Sequence, residues 1–139
     1  MKTSLKSVLR AASAAGLACA FAAALAAPAF AAVTAHLTAS PTNFVGPCPA
    51  VITFTGKIKS TTQGAVQYKF TRSDGAIAPV QTLVFRAPGV QTVSTTWTLG
   101  GLPALPNYVG WQAIEIISPT PGTSNHADFK IACVAATNP

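Results

Sequence analysis

Few side chains in this 139-residue sequence can do chemistry. There are two histidines, His36 and His126, three acids, Asp74, Glu115 and Asp128, and three cysteines, Cys19, Cys48 and Cys133. A protein-built metal site needs three or four converging ligands of these types. Here they are scattered, and only His126 and Asp128 fall on one strand face, two residues apart; that pair reads as a solvated edge face. A serine triad needs a histidine held beside a nucleophile in a defined turn, and no such motif surrounds either histidine. Glycosidase chemistry needs two opposed carboxylates. Asp74 belongs to a turn, Asp128 to a strand start and Glu115 to a strand middle. The single methionine is Met1, which leaves no sulfur-rich copper site. No catalytic residue, metal or cofactor is therefore expected, and the chain does not read as an enzyme.

Three aromatic residues are candidates for ligand contact. Trp97 and Trp111 could form a sugar-stacking platform, but core packing between the sheets is the favoured reading for both. Tyr108, next to Pro106 and Asn107 in a glycine- and proline-rich stretch, is better suited to an exposed contact. Glu115 shares a phase with Trp111, Ala113 and Ile117, so either that face is partly exposed or Glu115 is paired with a base. Ile114 and Ile116 occupy the opposite phase.

The first 31 residues do not read as part of the fold. Lys2, Lys6 and Arg10 precede an alanine-rich apolar run over residues 11–27. Pro28 and then Ala29-Phe30-Ala31 follow, the small-x-small pattern of a signal peptidase site, with cleavage between Ala31 and Ala32. A retained membrane helix and lipidation at Cys19 are the alternatives. The alanine-rich run is only weakly apolar, and Gly16 stands where a lipobox has leucine. Removing 31 of 139 residues leaves 108, one domain's worth. Six bases against three acids then remain, a net +3, which does not mark a nucleic-acid partner. Once the signal is removed no membrane segment remains. A secreted or periplasmic location is expected, and in such an oxidising compartment the two remaining cysteines, Cys48 and Cys133, are expected to form a disulfide.

Residues 32–139 alternate at period two, without a helical period. Seven strands are expected: 33–40, 48–58, 66–71, 81–86, 90–99, 108–117 and 125–134. In the second, Ile52, Phe54 and Ile58 share a core phase that Cys48 opens. Gly56 lies in that phase and calls for a bulge or a large neighbour, such as a tryptophan, packed over it. Pro41–Pro47 and Pro119–Ser124 read as turns, Ser73-Asp74-Gly75 as a tight hairpin, and 135–139 as a loose tail. The fold expected is an all-β, seven-stranded antiparallel sandwich forming a single domain.

On its strand count, its Cys48–Cys133 frame and its two tryptophans, the chain resembles the immunoglobulin-like and fibronectin-type-III-like domains of small secreted bacterial proteins. It departs from the antibody pattern in where its cysteines lie and lacks the Cys-Trp-Cys spacing. The resemblance implies a sandwich and little about function. The function expected is that of an exported, non-enzymatic protein for binding or adhesion, monomeric, with a protein or glycan partner. The alternatives are a surface-fibre subunit assembling by strand addition and a carbohydrate-binding accessory module.

Overall fold

A computed structural model describes Ala27, residues 30–100 and residues 107–135. Most of the expected signal peptide (with Cys19), the middle of the loop after Gly100, and 136–139 of the expected loose tail lie outside the described residues.

The described chain is all strand and turn. Its elements are β1 (Val33–Ser40), β2 (Asn43–Gly46), β3 (Ala50–Ser60), β4 (Gly64–Arg72), β5 (Gln81–Phe85), β6 (Gly89–Leu99), β7 (Asn107–Ser118), β8 (Gly122–Thr123) and β9 (Ala127–Cys133). A three-stranded sheet runs β1-β3-β6. A larger sheet runs β2-β9-β7-β4-β5, with β8 added on β7. All seven expected strands are present, and two short ones join them where turns were expected. One of these, β2, pairs parallel to β9 from Asn43 opposite Lys130 to Gly46 opposite Cys133. The antiparallel rule thus has one exception. Four residues between prolines carry too short an alternation to read as a strand. The partner that makes β2 one lies over 80 residues away.

Alternation builds the core. In β3, Ala50, Ile52, Phe54, Ile58 and Ser60 are buried, while Val51, Thr55, Lys57 and Lys59 face solvent. Leu37, Val66 and Ile114 join Ile52, Phe54 and Ile58 as the largest fully buried side chains. Gly56 lets the sheets approach: a Cβ there would lie 2.5 Å from Ile114 Cδ1, 3.0 Å from Val93 Cγ2 and 3.2 Å from Leu37 Cδ1. The large neighbour expected over Gly56 is therefore Ile114, and neither tryptophan fills that space.

The turn at Ser73-Asp74-Gly75 forms, with Gly75 at φ +77° and its N–H bonded to the Arg72 carbonyl. It does not close a tight hairpin. Tyr68 pairs with Gln81, and the intervening residues loop out, bridged between Thr71 and Ile77.

Candidate functional site

Two groups of functional-type side chains emerge, one closed and one open. The closed group fills the sandwich end where β3 begins and β9 finishes. Cys48, just before β3, is bonded to Cys133, the last residue of β9, with Cα atoms 5.4 Å apart. Gly100, at φ +81°, lies against this bridge, and a Cβ there would fall 2.7 Å from Cys48 Sγ. Next to the bridge Trp97, Tyr108 and Phe129 pack edge-on or tilted with ring centroids 5.3–6.1 Å apart. Arg72 closes the cluster, its guanidinium carbon 4.1 Å from the centre of the Trp97 ring, an attractive cation–π placement.

Arg72 is held in turn by Asp74, in a two-pronged ion pair with one bond of 3.0 Å from Nε. That hydrogen bond is the main reason the Asp74 carboxyl sits below its ordinary value; partial burial opposes the shift, and the Ala76 N–H assists it. Ser73 ties the turn to β7: its hydroxyl accepts the Trp111 N–H at 3.1 Å, and its own N–H reaches the Trp111 carbonyl.

Trp97 is 5% exposed, and its faces are occupied by Phe129, Tyr108 and Arg72. It is a core residue, as expected, and offers no platform. Tyr108 belongs to β7, not to a loop, and is half-buried against Trp97 and Phe129. Its assignment as an exposed contact is thus corrected: it sits in the inward phase of β7, which begins one residue earlier, at Asn107. Tyr68, buried in the same sheet, donates its hydroxyl to Gln81 Oε1 at 2.8 Å, and burial raises its pKa. Sequence reasoning missed Gln112, which is buried in the inward phase of β7 with no hydrogen-bond partner for Oε1 among the described residues.

The open group lies on the outer face of the larger sheet. Trp111 is on the outward phase of β7 and is half-exposed. The expectation that it packs between the sheets fails. Its ring stacks face to face on His126, centroids 3.8 Å apart and planes 4° apart. The register places Asp128 beside Trp111 and Lys130 beside Val109, with Asn43 of β2 next to Lys130. Val109 is 76% exposed and Val45 66%. Thr42, Asn43, Val109, Asp128 and Lys130 line a shallow groove here. His126 precedes β9 and Asp128 lies near its start, both exposed, where β2, which pairs with β9 only from Lys130 to Cys133, does not flank them. Glu115, further along this face, is half-exposed and paired with Lys69 at 3.4 Å. Both readings of that residue thus hold together.

Among the described residues no group of three His, Cys, Asp or Glu side chains converges, and no helix is long and apolar enough to cross a membrane.

No family model matches the chain, and no curated protein matches it. Among solved structures, the fold is similar to the CARDB domain of a protein from Pyrococcus furiosus, determined in complex with di-metal ions. The TM-score is 0.53 at 10% identity, over 75% of this chain and 94% of that one. At that identity the likeness speaks for fold alone. With the strand order above, it identifies the chain as an all-β sandwich of immunoglobulin-like architecture.

Proposed function

We propose that this chain is an exported, non-enzymatic binding module whose contact surface is the outer face of the larger sheet around Trp111. One observation carries the reading. A tryptophan placed outside the core, half-exposed, is stacked flat on a histidine near the exposed Val109 and an open groove. A core does not require such a pair, whereas an interaction surface uses rigid aromatic anchors of this kind. Export is supported by the signal-like N-terminus and by the Cys48–Cys133 bridge. The scatter of acids and histidines supports a non-catalytic role.

The partner class favoured is a glycan. Trp111 and His126 supply an apolar stacking surface, and Asp128, Lys130 and Asn43 stand beside it as donors and acceptors for hydroxyls. A glycan array probed with the purified chain tests this, with Trp111→Ala as the paired sample. Binding lost in Trp111→Ala at unchanged thermal stability is the expected result. Wild-type hits that survive both Trp111→Ala and His126→Ala would remove this face from the reading; hits on no glycan would turn the search to protein partners. The fibre-subunit alternative needs a gap for a donor strand. β1 already pairs with β3 over all eight of its residues, which argues against it.

A further inference from the structure

Among the described residues the two sheets end on four edge strands, β1, β6, β2 and β5, besides the two-residue β8 added on β7. An open edge is a row of unpaired N–H and C=O groups that another strand can join, and soluble proteins block such edges with prolines, charges, short strands or covering groups. Three of the four are blocked. On β1, the Asn125 side chain imitates a neighbouring strand: its Oδ1 accepts the Leu37 N–H at 2.9 Å and its Nδ2 donates to the Leu37 carbonyl at 2.8 Å. β2 has four residues and lies between Pro41 and Pro47. β5 has five residues between Pro79 and Pro88, and its Val84 carbonyl is taken by Gln91 Nε2 at 2.8 Å.

β6 carries none of these devices. It is eleven residues long, Gly89-Val90-Gln91-Thr92-Val93-Ser94-Thr95-Thr96-Trp97-Thr98-Leu99, without a charge or a proline. It pairs with β3 over its full length with no shift of register, so no bulge twists its edge away. Among the described residues no side chain hydrogen-bonds to its backbone.

We infer that the β6 edge is the docking surface for β6 of a second copy of this chain, in antiparallel register about a two-fold axis at Ser94. The pairing is self-complementary. Directly opposed residues in an antiparallel pair point to the same face, so the register must keep core-side residues opposite core-side residues. Centring on Ser94, the middle of the strand, does this and uses all eleven residues. On the solvent face it sets Val90 opposite Thr98, Thr92 opposite Thr96, and Ser94 opposite Ser94. On the core side it sets Val93 opposite Thr95 and Gln91 opposite Trp97. Threonine and valine pairs of this kind favour strand pairing. The nearest charges stay apart. Lys57 pairs with Thr92 and Lys59 with Val90 inside one copy; the two-fold then extends those rows to Thr53 and Val51 of the other copy, not to its lysines. The product is a continuous six-stranded sheet, three strands from each copy. A monomer is what the sequence leads one to expect, and the inventory of edges is the reason to propose otherwise. The surface is separate from the Trp111 face and does not depend on the role proposed for it.

Sedimentation velocity on the purified, disulfide-intact chain tests the inference. The mean mass should rise toward twice the monomer as the concentration climbs from about 1 μM to about 1 mM. Ser94→Lys puts two ammonium groups face to face on the axis and should raise the midpoint concentration at least about tenfold. Ser94→Asp should do the same, and mixing the two variants should restore the dimer. Thr38→Lys, on the solvent face of β1, should leave it unchanged. A wild-type chain that stays monomeric throughout, which would leave the edge to a foreign strand, overturns the proposal. So does a dimer indifferent to both Ser94 variants, or one lost equally in Thr38→Lys.

Discussion

Gly56 sets the distance between the sheets. Its core-side position in β3 was legible from period-two alternation, and so was the need for something large above it. Which side chain fills the space was not legible, because that depends on how β7 crosses β3. The Gly56→Ala variant would push a methyl group into Ile114 Cδ1 in a fully buried setting. We expect it to cost about 1–3 kcal/mol in urea denaturation. Trimming the neighbour with Ile114→Val should recover part of that loss in the double variant, a non-additivity that a merely local backbone effect would not produce. The tryptophans give the complementary lesson. Trp97 and Trp111 are chemically alike and both sit in alternating strands, yet one is core and the other faces outward. The sequence carried one clue: Glu115, in phase with Trp111, is a poor tenant for a core.

At the scale of elements, the turn after β4 shows how a short-range signal can be right while its consequence is wrong. Asp74-Gly75 forms the turn its residue types favour. The strand that follows nevertheless starts only at Gln81, because its inward residues, Leu83 and Phe85, pair opposite Val66 and Gly64. The turn is held by the Arg72–Asp74 pair, and this makes it pH-sensitive. Asp74 ordinarily titrates near 3.8, and the Arg72 hydrogen bond lowers it in the folded chain. The folded state therefore favours the carboxylate. The stability so gained is present above the ordinary value and is lost as pH falls through the depressed one. Asp74→Asn keeps an oxygen for the Ala76 N–H but removes the charge. The variant should melt below the wild type at neutral pH, and the two melting curves should converge as pH falls below 3.8. A gap that persists in acid would mean that the charge is not what holds the turn.

For the molecule as a whole, the Cys48–Cys133 bridge clips the entry of β3 to the end of β9. It closes a loop of 85 residues. In the chain-entropy model, a loop of that length corresponds to about 4–5 kcal/mol of stabilisation, drawn from a smaller unfolded ensemble. The double variant Cys48→Ala, Cys133→Ala should lose most of that in equilibrium denaturation. Gly100 packs on the sulfurs and adopts a positive φ, so Gly100→Ala should destabilise the bridged protein. A bridge-less protein as stable as the wild type would show that the aromatic cluster alone secures this end.

The sequence by itself determined the strand class, the seven main strands, the faces of most of them and the cysteine pair. All of these follow from local alternation, turn chemistry and a count of two cysteines, and none needs knowledge of what lies across the sheet. Only the tertiary structure decided the parallel β2–β9 pair, the side of the sheet on which Trp111 lies, the burial of Tyr108, and which of the four edges stays open. Each of these turns on contacts between segments tens of residues apart, such as Asn125 with Leu37 or Trp111 with His126 across neighbouring strands. Alternation says that a strand has two faces. It takes the neighbouring strands to say which face, and which edge, meets water.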